Sequence, residues 1–251
     1  FAPLVLLGVV TIPAVVQIAV GYLTRNESNP ANRIEIVGYR DYVGVSSALL
    51  LFVALVAPDI ICPDRRNHVL PLMFSRPLTG RDYVAAKLAA LFSILFAFTV
   101  IPQLILFVGN MLVSNSAASY FTGHLEILWK VPLSAAVLAL FQALIGLSVA
   151  SLTDRRIVAG ASLIGLFLLT SIAASVLVGE EISRRGGSPA GLLNVVQLPL
   201  YLRDLIFDGR IGSDMQLYRV DHGGAMAIGV YVAIVAATLF VLLRRYRWVE
   251  R

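Results

Sequence analysis

The stretch YVAAKLAALFSILFAFTVIPQLILFVGNMLV, from Tyr83 to Val113, decides the fold of this chain. Lys87 is its one charged side chain, and it lies close to the start of the stretch. A helix needs about 20 mostly apolar residues to cross the hydrocarbon core of a bilayer. The stretch is longer than that, so we expect a membrane-spanning helix that tilts or extends past the bilayer.

The chain as a whole is apolar. Of its 251 residues, 58% are hydrophobic and 14% are charged, and the mean hydropathy is +0.83. A soluble domain of this size could not bury so much apolar surface. Because open sheets do not occur in lipid, we expect an all-α, polytopic membrane protein with one domain over residues 1–251. Six spans are predicted: Ala2–Leu23, Val43–Cys62, Tyr83–Val113, Leu128–Leu152, Ile157–Val178 and Gly224–Leu243.

Basic residues near the ends of the spans predict the orientation of the chain. Arg65, Arg66, Arg155 and Arg156 lie in short connections, whereas the other connections are longer and mix basic with acidic residues. We therefore expect the short connections and both termini to lie in the cytoplasm, with a further cytoplasmic segment ahead of Phe1.

The spans hold few groups that could power transport on their own. Their interiors carry neutral polar residues, whereas proton-coupled carriers generally need an acid or a histidine within the membrane. The GxxxxGK[ST] loop that binds nucleotide phosphates is absent, since Lys87 follows Ala86 and Lys130 follows Trp129. We therefore expect neither a self-powered carrier nor a chain that hydrolyses ATP alone.

Two weak patterns would suggest a catalytic or metal site. Residues 180–185 match EExxxR, a pattern seen in intramembrane CAAX-type proteases. The chemistry of those proteases also needs histidines within the membrane. The histidines here all fall in predicted loops: His68, His124 and His222. The possible metal ligands near the end of the second span are irregularly spaced: Asp59, Cys62, Asp64 and His68. We expect no catalytic residue and no bound metal.

The connection between the second and third spans has an organisation of its own. Pro63 is expected to end the second span, and Thr79 to Asp82 should cap the third. Between them, Arg65–Phe74 can form a short amphipathic helix with Val69, Leu70, Leu72, Met73 and Phe74 as its apolar residues. Such a helix could bind anionic lipid headgroups, or it could be a docking element for a soluble partner that supplies an ATPase.

The sequence DRRNHVLPLMFSRPLTGRDYVAAK, residues 64–87, resembles the cytoplasmic signature of ABC-2 type transporter permeases. The matching positions are Asp64, Arg65, Leu70, Ser75, Arg76, Pro77, Arg81 and Lys87. The family often has glycine and a small or β-branched residue where this chain has Asn67 and His68. Six spans and a long outer segment between the fifth and sixth are similar to the family along nearly the whole chain.

The resemblance implies a permease subunit of an ATP-driven exporter in the plasma membrane, the inner membrane of a bacterium. Two separate ATPase subunits would bind ATP and magnesium, and a second permease copy or a paralogue would pair with this one. The short helix would be the coupling helix, and residues 153–156 a second ATPase contact. The implied ATPase-coupling residues are Asp64, Arg65, Arg66, Val69, Leu70, Met73, Phe74, Arg76, Pro77, Asp154, Arg155 and Arg156.

In the family, the first, second and fifth spans face the transport pathway. The candidate pathway-lining residues are then Gln17, Ser46, Ser47, Ser162, Thr170 and Ser171. Such a lining suits an amphipathic, lipid-like or drug-like cargo moved outward. The outer segment 179–223 is expected to form a pair of short helices, either a packed cap or an outer gate. Two alternatives remain open, a non-transporting membrane anchor or sensor and a secondary carrier.

Overall fold

The structure is a computed structural model that describes residues 2–23, 38–42, 46–66, 79–114, 116–185, 188–218 and 220–247. Every regular element within these ranges is helical, which confirms the all-α prediction for the described part of the chain. A 3-10 helix spans Pro189–Leu193. The α-helices are α1 (Ala2–Leu23), α2 (Tyr39–Tyr42), α3 (Ser46–Arg66), α4 (Gly80–Val113), α5 (Ala117–Gly123), α6 (Leu125–Ala150), α7 (Arg156–Arg185), α8 (Leu198–Asp208) and α9 (Gly223–Arg247).

Within the described residues, four helical stretches are long and apolar enough to cross a membrane. They are Gly80–Val113, Leu125–Ala150, Arg156–Gly179 and Gly223–Tyr246, with mean hydropathies of 2.4, 2.1, 2.3 and 2.6. They correspond to the third to sixth predicted spans. For α1 (22 residues, Ala2–Leu23) the side chains are described from Leu7 to Leu23, and this stretch is mainly apolar. The second half of α3 carries charged residues. The molecule is therefore a multi-pass helical membrane protein, while the first two spans stay a prediction.

The helix α6 is the centre of the bundle. It packs against α3, α4, α8 and α9, and less extensively against α7. Leu138, Ala139 and Leu144 are among its fully buried residues. By contrast, α7 and α9 expose apolar side chains such as Leu169 and Phe240 on their outer surfaces. Apolar surface of this kind is what a helix presents to lipid acyl chains.

The start of α4 is capped as the sequence predicts. The Thr79 hydroxyl accepts a hydrogen bond from the Asp82 backbone N–H at 3.3 Å, and the Asp82 carboxylate accepts one from the Thr79 backbone N–H at 3.0 Å. This reciprocal pair satisfies two of the N–H groups that a helix start leaves without a partner.

The end of α3 differs from the prediction. Pro63 was expected to end the second span, with Asp64 capping a following helix, but α3 continues through Pro58 and Pro63 to Arg66. A proline within a helix removes one backbone hydrogen bond. Near this end the Lys87 ammonium donates a hydrogen bond to the Ile60 carbonyl at 3.0 Å, so a neighbouring helix supplies a donor to the last turns.

The segment between α7 and α9 contains the predicted pair of short helices. They are the 3-10 helix and α8, and Pro199 lies in the first turn of α8, where a proline is tolerated. Gly209, with φ of +68°, ends α8 in the left-handed conformation that glycine favours. The α8 residues Leu198 and Tyr201 are fully buried, so this segment packs as a cap on α6 and α9.

Candidate functional site

The described parts of the two predicted ATPase-contacting regions, residues 64–66 and 153–156, lie at one end of the bundle, which we call the Asp64 end. It is formed by the last turns of α3, the first turns of α4, the α6–α7 turn (151–155), the start of α7 at Arg156 and the last turns of α9. Its contacts are described first, because the implied coupling residues Asp64, Asp154, Arg155 and Arg156 belong to it.

Asp64 joins α3 to α4. Its Oδ2 accepts a hydrogen bond from the Tyr83 hydroxyl at 2.8 Å and lies 2.7 Å from the Lys87 ammonium nitrogen. The ammonium nitrogen is also 5.4 Å from the centre of the Tyr83 ring. Both charged side chains are partly buried, which strengthens their attraction relative to a surface pair. The Tyr83 ring lies 5.0 Å from that of Tyr246, so α9 joins the same cluster.

The α6–α7 turn is held against α3 next to this cluster. The Cys62 thiol is within weak hydrogen-bond reach of the Ala150 and Thr153 carbonyls, at 3.8 and 3.6 Å. Asp59 Oδ1 lies 2.7 Å from Arg156 Nε, in an ion pair that is largely exposed. Asp154, Arg155 and Arg156 are exposed. A soluble partner at this end would therefore meet the turn and the end of α3 together.

Several implied coupling residues cannot be placed. Val69, Leu70, Met73, Phe74, Arg76 and Pro77 lie outside the described residues. For Arg65 the helical backbone is described but the side chain is not, and Arg66 is exposed at the end of α3.

The possible metal ligands at this end have other partners. Asp59 pairs with Arg156, Asp64 pairs with Lys87, and Cys62 faces backbone carbonyls. Within the described residues there is no group of three or more His, Cys, Asp or Glu side chains arranged to hold a metal ion. His68 lies outside the described residues.

The candidate pathway residues lie on two different packed surfaces. Gln17 is buried on α1, whose residues Val10 and Ala14 pack with Leu106 of α4. On α7, Ser162 is exposed, and the Thr170 hydroxyl donates to the Leu166 carbonyl at 2.8 Å within its own helix.

Ser171, also on α7, is partly buried, and the side chains of Ser46 and Ser47 lie outside the described residues. Among the described residues, α7 packs on α3 while α1 packs on α4, so Gln17 and the placed hydroxyls of α7 belong to different helix pairs.

The opposite end, which we call the Arg40 end, holds a charged network that the sequence analysis missed. Asp204 of α8 is fully buried, at 0% side-chain exposure, and Arg203 is 3% exposed. The Asp204 carboxylate accepts hydrogen bonds from Arg40 Nε and Nη2 at 3.0 and 2.9 Å, and from Arg203 Nε and Nη2 at 3.0 and 2.7 Å. The Gly212 N–H adds another at 3.0 Å.

Arg40 is held through its backbone as well, since its carbonyl accepts from Arg203 Nη1 at 3.1 Å. The hydrogen bonds to Asp204 raise the pKa of the Arg40 guanidinium above its usual value. Arg203 and Asp204 are charged residues inside an apolar segment, and a charge that is buried there has to be paired. Nothing in the sequence identifies Arg40 as the third member of this charged network, because Arg40 lies far from Arg203 and Asp204 in the chain.

Aromatic side chains connect α2 and α5 to α4 at the same end. The Tyr39 hydroxyl is 2.9 Å from that of Tyr120 and accepts a hydrogen bond from the Asn110 amide at 3.1 Å. The Tyr120 ring stacks on His124 at 4.1 Å. Aromatic rings with polar tips are typical of the boundary between lipid and water, which agrees with α4 ending here.

Comparison with known protein families found no matching family model, and comparison with curated proteins found no matching sequence. The class that the fold defines is a multi-pass, all-helical membrane protein with a charged cluster at each end.

Proposed function

We propose that this chain is the permease subunit of an ATP-driven ABC-2 type exporter. It would cross the plasma membrane six times, with α1 and α3 as the first two spans and both termini in the cytoplasm. The Asp64 end would then face the cytoplasm, and the Arg40 end the outside. Two ATPase subunits would bind ATP and magnesium, and a second permease copy or a paralogue would complete the transporter.

The observation that carries the proposal is the joining of α3 and α4 by Asp64, Tyr83 and Lys87. These residues lie on either side of 67–78. The coupling helix was predicted at Arg65–Phe74, but Arg65 and Arg66 belong to the end of α3, so the rest of the predicted helix falls within 67–78, outside the described residues. A partner that pushes on 67–78 would act on both helices at once, because an ion pair of 2.7 Å and a hydrogen bond of 2.8 Å hold their ends together. The contact of Tyr83 with Tyr246 extends that connection to α9.

The mechanism follows from these connections. When the ATPase subunits close on ATP, the coupling segment and the α6–α7 turn move with them. The helices respond as rigid bodies, since packed interiors shift between discrete arrangements and do not deform continuously. Access to the pathway then changes from the cytoplasmic to the outer side, and no bond of the cargo is made or broken.

The exposed position of Ser162 agrees with a pathway that forms between two permease chains. A hydroxyl on the outer surface of α7 can contact cargo only if a second chain encloses that surface. Neutral hydroxyls among apolar side chains favour an amphipathic, lipid-like or drug-like cargo over a metal ion or a sugar. The cargo class rests on this lining.

The test is co-purification with the candidate ATPase subunits of the same host, followed by ATP hydrolysis in lipid. The Leu70→Asp, Phe74→Asp double variant should lose the ATPase while its thermal unfolding stays unchanged. The matched control is Leu193→Asp, an exposed apolar residue on the outer segment, which should retain the ATPase.

Three outcomes would contradict the proposal in different ways. A partner that binds without any ATP turnover would indicate an anchor or sensor. Cargo movement on an ion gradient with no ATPase bound would indicate a secondary carrier. Retention of the ATPase by the double variant would show that residues 67–78 are not its docking element.

A further inference from the structure

The outer surface of α9 changes from apolar to basic within one helical turn at the Asp64 end. Phe240 and Val241 are exposed apolar residues, at 60% and 38%. Arg244 and Arg245 follow them, and both are exposed. Residues four apart share one face of a helix, and the guanidinium carbon of Arg244 lies 6.0 Å from the centre of the Phe240 ring. We call these four residues the Arg244 patch.

The positive charges of the patch are not neutralised by the chain where the structure describes it. Among the described residues, neither Arg244 nor Arg245 makes an ion pair or a side-chain hydrogen bond. The acids Asp59 and Asp64 at the same end are already paired with Arg156 and Lys87. Both arginines of the patch are therefore available to an anion from outside the chain.

The Arg244 side of α9 is turned away from the bundle. Tyr246 is 1% exposed, and its ring lies 5.0 Å from the ring of Tyr83 on α4. Arg244 is two residues before Tyr246, which places it about 200° away around the helix. The stretch Gly223–Tyr246 is long and apolar enough to cross a membrane. In a membrane, the face that carries Phe240 would therefore meet lipid and not a soluble protein.

We propose that the Arg244 patch binds an anionic phospholipid. The headgroup phosphate contacts Arg244 and Arg245, and an acyl chain lies along Phe240 and Val241. A guanidinium donates paired, charge-assisted hydrogen bonds to phosphate oxygens, and basic residues at the membrane surface favour acidic lipids. The site requires only that α9 lies in a membrane, whichever side the Asp64 end faces, so it can be tested apart from the exporter proposal.

The first test is thermal unfolding of the full chain in detergent micelles, titrated with phosphatidylglycerol or with phosphatidylcholine of the same acyl chains. A ligand that binds only the folded chain raises the unfolding temperature, so the lipid concentration that gives half of the rise reports the affinity. We expect phosphatidylglycerol to act at the lower concentration. Arg244→Gln should raise the phosphatidylglycerol concentration needed by about fivefold and leave the phosphatidylcholine titration unchanged. Because Arg244 is exposed, the variant should unfold at the same temperature as the unaltered chain before lipid is added.

The matched control is Arg210→Gln, which removes an exposed arginine at the Arg40 end. It should leave both titrations unchanged. An equal loss in the two variants would show an effect of net charge and no site at Arg244. Equal action of the two lipids on the unaltered chain would also overturn the proposal.

Two further measurements separate the lipid from other anions. The water-soluble headgroup glycerophosphoglycerol, which lacks acyl chains, should give no rise in unfolding temperature at the concentrations where the lipid acts. An equal rise would indicate a site for a free anion. An Arg244→Gln variant that keeps the preference for phosphatidylglycerol but loses the ATPase subunits would assign the patch to the soluble partner instead.

Discussion

At the scale of the residue, Asp204 is the group on which the Arg40 end depends. It is a carboxylate with 0% side-chain exposure, and its guanidinium partners come from Arg203 beside it and Arg40 on α2. A charge is stable in such a place only when it is paired and hydrogen-bonded. Removing one partner from a buried ion pair is costly, because the remaining charge stays buried without compensation.

We therefore expect Asp204→Asn to lower the free energy of unfolding by about 2–4 kcal/mol. The asparagine keeps the volume but leaves two guanidinium groups close together without a full counter-charge. Asp208→Asn is the matched control, since Asp208 is 47% exposed and lies 3.6 Å from Arg40 Nη1. It should change the stability by less than about 0.5 kcal/mol. Thermal unfolding in detergent micelles measures both, and equal losses would contradict a special role for Asp204.

The contacts of individual residues could be predicted where the two partners are near each other in sequence. The cap of α4 was predicted because Thr79 and Asp82 are one turn apart. Asp64 was expected to cap a helix and instead bonds to Tyr83 and Lys87. That pairing depends on how the chain returns after residues 67–78, which local sequence patterns do not determine.

At the scale of the element, the crossing of α3 and α6 depends on a glycine. A Cβ atom added at Gly146 would lie 2.5 Å from Val53 Cγ1 and 3.1 Å from Ala57 Cβ. Val53 cannot easily turn away, because β-branched side chains in helices have one strongly preferred rotamer. Small residues at such crossings let membrane helices approach closely.

Gly146→Ala should therefore destabilise the bundle. Alanine gains about 1 kcal/mol over glycine from helix propensity, but overpacking typically costs about 1–3 kcal/mol, and we expect a net loss of about 1 kcal/mol. Gly165→Ala on α7 is the control, because an added Cβ there meets nothing within 4 Å. It should be neutral or stabilising by up to about 1 kcal/mol. A stable Gly146→Ala variant in the same unfolding assay would show that the helices can move apart at little cost.

Helix existence was predictable at this scale, and helix ends were not. The third to sixth predicted spans are all helices in the structure. The fifth span was predicted to end near Val178 and the membrane-length stretch ends at Gly179, but the helix α7 itself runs on to Arg185. Hydropathy shows where an apolar run of sequence ends. It does not show where the helix ends, because a helix can continue into water with polar residues. The same limit applies to α3, which continues through Pro63.

At the scale of the whole molecule, the ion pairs described above lie at two separate ends of the bundle, the Asp64 end and the Arg40 end. The Asp64 cluster includes Tyr83 near the start of α4, and the aromatic contacts of the Arg40 end include Asn110 near its finish. At 1.5 Å per residue these positions are about 40 Å apart along the helix. That separation approaches the full thickness of a bilayer with its headgroups. It favours an arrangement in which the two ends face opposite sides of the membrane.

Cysteine labelling from outside the cell tests this arrangement and the proposed orientation. The one native cysteine, Cys62, is 2% exposed, so the unaltered chain is the blank. Asp154→Cys lies in the turn before α7, and Ser213→Cys lies in the segment after it, both at exposed positions. Among the described helices between these two sites, only α7 is long and apolar enough to span the membrane. One crossing by α7 should therefore place the two sites on opposite sides.

We expect a membrane-impermeant thiol reagent to label Ser213→Cys in intact cells, and Asp154→Cys only after the membrane is opened. Ala118→Cys, exposed on α5 between α4 and α6, should behave like Ser213→Cys, since two crossings return the chain to the same side. The reverse pattern would place the Asp64 end outside, where no cytoplasmic ATPase could reach it. Labelling of Asp154→Cys and Ser213→Cys from the same side would mean that α7 does not span the membrane.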